Sequence, residues 1–431
     1  NKNNSNNNDN NNNSKNNNNN NGGGDGSYAS ADADVDVSSS DTLTSSTTSS
    51  ALPPSLPTRL TDLSHPTNLE HPIPTRAVEI PVLDFRNKTY LAPLTTVGNL
   101  PFRRVCKRLG VDITCGEMAM ATNLLQGQQS EWALLKRHPS EDLFGVQVCG
   151  GFPDLLTRCA QLVDENVEGV KFFDINMGCP IDLVCDKDAG SALLRKPKRI
   201  QDIIQSVSRT LTIPLTVKIR RGFSDGVDVA HTLLPYMREW GAQAVTLHGR
   251  SRQQRYTKLA DWEYVRHCST LCPDLQLLGN GDVMGFEDWN YNTREGANVA
   301  GCMIGRGALI KPWIFTEIKE RRYWDIRSGE RLDILRGFVG AGLEHWGSDA
   351  KGVANTRKFL MEWLSFACRY VPVGLLDVLP QKMNHRPLPY YGRDDLETLM
   401  ARADVDAWNQ IANLLLGPAP EGVGMGGAGG G

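Results

Sequence analysis

Short apolar runs alternate along the chain with longer segments whose apolar residues recur at helical spacing. The runs follow one another at roughly 25–40 residues, a spacing typical of strand–helix units whose strands lie parallel. Eight strands are predicted in this way, at Thr89–Leu94, Asp112–Glu117, Leu143–Cys149, Phe172–Met177, Leu215–Ile219, Ala244–Leu247, Gln276–Gly279 and Gly301–Ile304. Eight such units in about 250 residues are what a closed (β/α)₈ barrel, or TIM barrel, requires.

An open, doubly wound sheet is the alternative arrangement of alternating strands and helices. It would place a glycine-rich turn between the first strand and the first helix. The first predicted strand leads instead into Thr96-Val97-Gly98-Asn99-Leu100-Pro101. We therefore predict an α/β fold of the barrel class, with a barrel domain that spans residues 76–325.

The strand pattern ends at about residue 326, and later apolar residues recur at helical spacing. Helices are predicted at Leu332–Trp346, Val353–Tyr370 and Leu396–Leu415, with breaks at Pro372, Pro380, Pro387 and Pro389. This pattern predicts a smaller all-helical domain at residues 326–415. Residues 1–75 are rich in Asn, Gly, Ser, Asp and Thr, and residues 416–431 are rich in Gly. Both tails are predicted to be disordered because they have little apolar surface to bury.

Composition narrows the class of protein. The 431 residues are 40% hydrophobic and 22% charged, which suits a soluble globular enzyme. The net charge of −3 excludes a strongly basic protein, so any contact with nucleic acid must come from a local basic patch. No apolar run is long enough to cross a bilayer, and we expect no membrane association. The 10 cysteines are scattered singly, which indicates reduced intracellular thiols and no metal site.

One cysteine stands out by its position. The predicted strand Phe172–Met177 runs directly into Gly178-Cys179-Pro180. Gly178 permits a tight turn and Pro180 keeps Cys179 out of helical geometry, so the thiol is expected at the end of a buried strand. Catalytic residues of a barrel lie at this end of the strands. The alternative is that Cys179 is a small core residue, since cysteine is often fully buried.

Two glycine-containing turns follow the last two predicted strands. They read Gly279-Asn280-Gly281-Asp282 and Gly305-Arg306-Gly307-Ala308. Loops in these two positions commonly bind phosphate in this fold, because glycine lets backbone N–H groups approach an anion. A surface ion pair is the alternative interpretation for Arg306.

Further polar residues fall at or near the ends of the middle strands. Lys218 and Arg220 lie on one face of their strand, and a buried strand rarely holds a lysine without a partner. A cation there could stabilise negative charge on a reduced cofactor ring. His248 could bind the same cofactor or satisfy a core partner, and the amide of Gln147 can both donate and accept at a heteroaromatic edge. Glu117 is interpreted as support for the barrel mouth.

These residues resemble the dihydrouridine synthases, flavoenzymes that reduce a uracil base in tRNA. Asp174–Pro180 followed by Ala189-Gly190-Ser191-Ala192-Leu193-Leu194 resembles the signature around the catalytic cysteine of that family. Segments Ser251–Trp262, Leu91–Asn99 and Arg393–Leu399 resemble the members that act on position 47 of tRNA. The resemblance runs from about Thr89 to Leu415.

The resemblance implies a cofactor and a role for each site residue. FMN would lie across the barrel mouth, with NADPH or NADH as the reductant and Cys179 as the proton donor. The implied FMN-binding residues are Pro93, Leu94 and Thr95 from the first strand, Gln147, Lys218 and His248 at the ring and ribityl region, and Asn280, Gly281, Asp282, Gly305 and Arg306 at the phosphate end. The partner would be tRNA, with messenger RNA left open, and we expect a monomer in the cytoplasm or the nucleus.

The chemistry of the residues agrees with this role for Cys179. Hydride addition at C6 of uracil leaves C5 in need of a proton, and a free thiol still holds its proton near neutral pH. No histidine lies close to Cys179 in sequence to activate it as a nucleophile, so we interpret it as an acid. The base must be extruded from the RNA, which calls for phosphate and stacking contacts. Candidates for these contacts, each with a solvated surface charge as the alternative, are Arg250, Arg252, Arg255, Lys258, Lys358, Arg369, Lys382 and Arg386.

Two departures from the family pattern bear on this interpretation. Asp188 stands where the family usually has glycine, so the loop after Cys179 is expected to differ in shape. The eukaryotic members of this type carry Cys/His zinc fingers before the barrel, which this sequence lacks, and its first residue is Asn, so a fragment is one interpretation. Two alternative functions stay open: an FMN barrel reductase of a free pyrimidine, of the dihydroorotate dehydrogenase type, and a flavin-free RNA-binding module.

Overall fold

The structure is a computed structural model that describes residues 79–382 and 389–418. Its strands form one sheet in the order β2–β1–β9–β8–β7–β6–β5–β4–β3, and a further pairing between β2 and β4 closes it into a barrel. The strands are β1 Tyr90–Leu91, β2 Ile113–Cys115, β3 Ala119–Met120, β4 Leu143–Cys149, β5 Phe172–Met177, β6 Leu215–Arg220, β7 Ala242–His248, β8 Gln276–Asn280 and β9 Gly301–Ile304. All pairings are parallel. The predicted barrel is confirmed.

Three of the predicted strands, β4, β5 and β9, match the structure residue for residue. β1 is shorter than the predicted Thr89–Leu94. Its ladder ends as the Ala92 N–H donates to the Ile304 carbonyl, and Pro93 has no N–H with which to continue it. β3 is an addition that sequence reasoning missed, because a two-residue strand beside the end of β4 has no periodic signal.

The helices lie outside the barrel and after it. They are α1 Leu100–Arg108, α2 Ala121–Leu125, α3 Gln129–Ala133, α4 Pro153–Asn166, α5 Asp182–Cys185, α6 Pro197–Thr210, α7 Ala230–Trp240, α8 Trp262–Leu271, α9 Phe286–Asn292, α10 Arg306–Ile310, α11 Ile314–Glu320, α12 Ser328–Trp346, α13 Ala350–Ala367, α14 Asp395–Ala401 and α15 Val405–Leu416, with short 3₁₀ helices at Gly190–Arg195 and Val373–Leu375. None of the helices in these two described ranges is long and apolar enough to cross a membrane.

The region after the barrel is helical, as predicted, but the last predicted helix is two helices in the structure. The single helix predicted at Leu396–Leu415 is wrong, because the chain there forms α14 and α15. The backbone of Arg402 is extended, and the Asp404 side chain accepts the Ala407 N–H at 2.9 Å, which starts a new helix. The predicted tail 1–75 and residues 419–431 of the predicted C-terminal tail lie outside the described residues.

Barrel and helical region share one hydrophobic core. α1 and the segment around α10 and α11 pack with α12 and α13, and Trp363 lies at the centre of this cluster, 1% exposed. Its ring meets Phe102 edge-on and also contacts Phe338, both at 5.2 Å between centroids, and its Nε1 donates to the Leu309 carbonyl at 2.9 Å. The predicted boundary at residue 326 falls between α11 and α12 and stays a prediction.

We expect Trp363→Ala to lower the free energy of unfolding by about 3–5 kcal/mol, because it removes a buried indole and leaves a cavity between barrel and helices. Urea unfolding followed by circular dichroism measures this loss. Tyr391→Ala, at a side chain that is 93% exposed, is the control and should change stability by no more than about 0.5 kcal/mol. A Trp363→Ala loss as small as that of the control would contradict the shared core.

Candidate active site

Cys179 lies at the carboxyl end of β5, in a turn that hydrogen bonds hold on both sides. The N–H groups of Gly178 and Cys179 both donate to Asn176 Oδ1, at 3.0 and 2.8 Å. The Gly178 carbonyl accepts from Arg220 Nε at 2.7 Å, and the Cys179 carbonyl accepts from the Ser191 N–H at 3.0 Å. Four hydrogen bonds therefore fix the backbone that carries this thiol.

The thiol of Cys179 keeps its proton at neutral pH. Its side chain is buried, at 8% exposure, and burial raises the pKa of Cys179 above the ordinary range for cysteine. Arg220 and Lys218 oppose that rise, but burial is the larger effect. A protonated thiol beside two cations can donate a proton, and the cations then stabilise the thiolate that remains. This arrangement suits an acid better than a nucleophile.

A chain of hydrogen bonds runs from the barrel interior to this turn. Asp174, which is 1% exposed, accepts from Thr216 Oγ1 at 2.6 Å and from Gln147 Nε2 at 2.7 Å. Gln147 Oε1 accepts in turn from Asn176 Nδ2 at 2.8 Å. Asn176 then holds the two backbone N–H groups already described. Gln147 was predicted to contact the cofactor. In the structure its side-chain carbonyl and one of its two amide N–H groups are hydrogen-bonded within the protein.

His248 lies at the end of β7 among positive charges. Burial lowers the pKa of His248 well below its usual value, and neighbouring cations lower it further, so the imidazole is neutral. These cations are Arg220, Lys218, Arg250 and Arg306. Burial and the nearby Arg220 also lower the pKa of Lys218, to about 8. Among the described residues, the carboxylates of Asp174 and Asp282 interact with this group of four cations, so the mouth carries excess positive charge that suits an anionic ligand.

Asp282 organises the arginines of the predicted phosphate site. Its Oδ2 accepts from Arg250 Nη2 at 2.5 Å and from the Ala260 N–H at 2.7 Å, and its Oδ1 accepts from Arg306 Nη2 at 2.9 Å. Both carboxylate oxygens are engaged within the protein. The Asp282 side chain therefore orients Arg306. Its place at the phosphate end of a cofactor stays a prediction.

The two glycine-containing turns lie where backbone must pass close to other groups. Gly281 has φ +127°, and a Cβ there would stand 2.5 Å from the Ala260 Cβ, so only glycine fits. A Cβ on Gly305 would stand 3.4 Å from Leu94 Cδ2, which shows that the ends of β1 and β9 meet. Asn280 uses its Nδ2 to bond the Met303 carbonyl at 2.8 Å, which joins the ends of β8 and β9.

The structure brings the predicted site residues to one mouth. The ends of β1, β4, β5, β6, β7, β8 and β9 supply Pro93, Leu94, Thr95, Gln147, Cys179, Lys218, His248, Asn280, Gly281, Asp282, Gly305 and Arg306. Glu117, interpreted as support, accepts the Thr96 N–H at 2.7 Å and so holds the loop after β1. Among the residues described, no group of His, Cys, Asp and Glu could hold a metal ion.

Sequence reasoning missed Tyr256. Its ring is 49% exposed, lies over Arg306 at 4.1 Å and over Arg250 at 5.4 Å, and stacks on His248 with centroids 6.5 Å apart. The available signal was its place in the long loop that follows β7.

The prediction that Arg250 contacts RNA is wrong. Its side chain is 0% exposed and donates to Asp282 and to the Lys258 carbonyl. Arg252 is largely buried as well, donating to the Pro180 carbonyl at 3.1 Å and pairing with Asp182. Arg255, Lys258, Lys358 and Lys382 are exposed and Arg369 is partly exposed, whereas Arg386 lies outside the described residues.

The barrel sequence matches a known protein family. The family described as Dihydrouridine synthase (Dus) matches residues 90–336, which is more than half of the chain. The chain belongs to the dihydrouridine synthase family. The match begins at β1 and ends within α12, so it covers the whole barrel and the mouth described above.

Curated relatives in this family carry one recurring name. A "tRNA-dihydrouridine(47) synthase [NAD(P)(+)]-like" protein of Oryza sativa is 62% identical over 79% of this chain and 50% of the relative. The Homo sapiens protein of the same name is 59% identical over 85% of this chain and 56% of the relative. The chain thus spans about half the length of these relatives. Among solved structures, morphinone reductase matches 56% of this chain and 89% of that chain at 10% identity, with a TM-score of 0.41, too distant to carry an argument.

Asp188, the departure from the family glycine, adopts the backbone that glycine would favour. Its φ is +57°, in the left-handed region. The side chain is held by Lys196 Nζ at 2.5 Å and Arg199 Nη1 at 3.2 Å, and these two cations lower the pKa of Asp188. The two ion pairs hold the Asp188 side chain in this turn. The expectation that the loop after Cys179 differs in shape from that of the family stays a prediction.

We expect Asp188→Gly to leave the melting temperature close to that of the unaltered chain, because glycine adopts this backbone without strain. Asp188→Ala should lower it, because alanine keeps the strained backbone and loses both ion pairs. Differential scanning calorimetry compares the two. Asp186→Ala, at an exposed neighbour with ordinary helical φ of −66°, is the control. Equal effects of the alanine and glycine variants at position 188 would contradict the account.

Proposed function

We propose that this chain is the catalytic part of a tRNA-dihydrouridine synthase. It reduces the C5–C6 double bond of uridine, at position 47 of tRNA, with NADPH or NADH as reductant and FMN as the bound flavin. The observation that carries the proposal is a protonated, backbone-anchored Cys179 at a barrel mouth with excess positive charge. The names of the relatives support the substrate and the nicotinamide reductant.

The residues present fit a flavin mononucleotide. The cations at the mouth outnumber the carboxylates, and the phosphate-side arginine Arg306 is pre-oriented by Asp282. The residues proposed to hold the cofactor are Pro93, Leu94, Thr95, Gln147, Lys218, His248, Asn280, Gly281, Gly305 and Arg306, with Asp282 acting through Arg306. When bound and reduced, the flavin supplies the hydride for C6 of the uracil.

The residues of the chain supply the other half of the reduction. Cys179 donates its Sγ proton to C5, and Lys218 and Arg220 stabilise the thiolate that forms. His248 is neutral, and Arg250 Nη1 lies 3.3 Å from its Nε2, which places the imidazole proton on Nδ1. His248 can then donate one hydrogen bond from Nδ1 without adding a charge.

The RNA is proposed to lie across the mouth and the helical region. Arg255 and Lys258, on the loop after β7, and Lys358, Arg369 and Lys382, in the helical region, are the cations left to meet phosphates. Messenger RNA is a second candidate substrate on the same chemistry. We further propose a monomer that works in the cytoplasm or the nucleus, where such RNA is found.

Incubation with unmodified tRNA and NADPH, followed by mass mapping of reduced uridine, tests the function. Product at position 47 is expected. Turnover of a free pyrimidine without turnover of tRNA would favour the free-pyrimidine reductase, and a colourless protein that takes up no FMN would favour the RNA-binding module.

We expect Cys179→Ala to keep its flavin absorbance and its reduction by NADPH, and to lose dihydrouridine formation by at least about 100-fold, since general acid catalysis commonly contributes that much. Cys159→Ala, at a buried thiol on α4, is the matched control and should retain turnover within a few-fold. Full activity of Cys179→Ala would refute the acid role.

We expect Arg306→Ala to weaken FMN binding about tenfold or more while leaving riboflavin binding almost unchanged, because only FMN offers the phosphate that Arg306 bonds. Fluorescence titration of the flavin-free protein measures both affinities. Arg209→Ala, at an exposed arginine on α6, is the control. An equal loss for the two flavins would show that Arg306 does not meet the phosphate.

A further inference from the structure

Asp174 is a buried carboxylate whose charge lowers the stability of the folded chain. It lies inside the barrel, two residues before Asn176 on the same face of β5. Burial raises the pKa of Asp174 to about 6, so this carboxyl is ionised at neutral pH but takes up a proton more readily in the folded chain than in the unfolded chain. The stability that this carboxyl contributes at low pH is therefore lost as the pH rises through about 6. A group that costs stability under working conditions calls for a functional explanation.

The hydrogen bonds of Asp174 fix which end of the neighbouring amide side chains faces it. An ionised carboxylate only accepts, so it requires Gln147 to present its NH₂ group, at 2.7 Å from Oδ2. The opposite end of that amide, Oε1, then faces Asn176 and can only accept, so Asn176 must present its own NH₂, at 2.8 Å. This leaves Asn176 Oδ1 directed at the turn that carries Cys179.

The far end of the chain demands the same direction. The N–H groups of Gly178 and Cys179 need an acceptor, and they find it in Asn176 Oδ1 at 3.0 and 2.8 Å. If Gln147 were reversed, Asn176 would also reverse, and its NH₂ would face two N–H donors. Gln147 is 1% exposed and Asn176 is 8% exposed, so water has little access to repair such a mismatch.

We propose that Asp174 is a positioning residue for the proton donor: its carboxylate sets the orientation of Gln147 and Asn176, and through them the place of the Cys179 backbone and thiol. This inference rests on the proposed function, because it takes Cys179 as the acid that protonates the substrate. Asp174 touches neither the thiol nor the substrate and acts through two amides.

The test uses a substitution that keeps the size of the Asp174 side chain but removes its charge. Asp174→Asn can turn either end of its amide to Gln147, so the orientation of Gln147 and Asn176 is no longer imposed from the buried end and rests on the Gly178 and Cys179 N–H groups alone. In the holoenzyme we expect the Gly178 and Cys179 N–H groups to exchange with deuterium several-fold faster. Dihydrouridine formation should fall about tenfold, the size expected for one charge-assisted hydrogen bond. Flavin content and reduction by NADPH should stay unchanged, and the melting temperature at pH 7.5 should not fall, because the costly buried charge is gone.

A second set of variants, made in the Gln147→Met protein, shows whether Asp174 affects the Cys179 turn through Gln147. Gln147→Met breaks the chain at its middle, so adding Asp174→Asn to it should bring no further loss of turnover and no further gain in exchange. Asp164→Asn is the matched control, because Asp164, on α4, likewise accepts from a threonine hydroxyl, that of Thr212 at 3.0 Å. It should leave exchange at Gly178 and Cys179 at the level of the unaltered chain.

Three results would overturn the proposal. Unchanged exchange and turnover in Asp174→Asn would show that its charge sets nothing at Cys179. Losses that add in the Gln147→Met background would show that Asp174 acts by another route, and a fall in melting temperature with loss of flavin would show a structural role. If the unaltered chain forms no dihydrouridine, the proposed function fails, whereas the exchange measurements still decide whether Asp174 positions the Cys179 turn.

Discussion

Closure of the parallel sheet is the constraint on which the rest of the molecule depends. Tyr90 pairs with Met303 and Leu91 with Ile304, while Ile113 pairs with Leu143, so both margins of the sheet are joined. Because every strand runs in the same direction, all carboxyl ends open at one mouth. Backbone hydrogen bonds alone thus bring together side chains from seven strands that lie far apart in the chain.

The mouth holds several cations close to neutral groups. Arg220, Lys218 and Arg306 lie near the neutral His248, Arg220 and Lys218 also act on the protonated Cys179, and Asp282 bonds Arg306. Burial of these groups without full ion pairing is costly, and a phosphate-bearing, electron-accepting ligand would relieve much of that cost. The barrel itself is stabilised elsewhere, through the apolar layers between sheet and helices and through the core it shares with α12 and α13.

The sequence predicted where in the fold the candidate site residues lie, but it did not predict which side chains of the site hydrogen-bond to one another. The apolar run before Cys179 and the glycine turns after β8 and β9 placed those residues at strand ends, because strand direction is a local property. Arg250 was predicted to contact RNA, yet its side chain is buried and bonds Asp282 and the Lys258 carbonyl. The Ala260 N–H adds a backbone partner to Asp282. Those contacts depend on how two separate loops fold against one another, which no local pattern reports. The same holds for Tyr256, whose ring meets Arg306 across two loops.

From the sequence alone, the alternation of apolar runs and helical segments determined a parallel barrel followed by helices, and β4, β5 and β9 to the residue. Periodicity suffices there because a buried strand must be apolar and a surface helix must be amphipathic, whatever the neighbours are. Only the tertiary structure decided which hydrogen-bonding groups meet: that Asp174, Gln147 and Asn176 form one directed chain, that Asp282 holds two arginines, and that Asp404 splits the last predicted helix. Such choices depend on distances of about 3 Å between residues distant in sequence, and hydrogen bonds at that range are set by packing, since the strand pattern fixes only which face a side chain occupies.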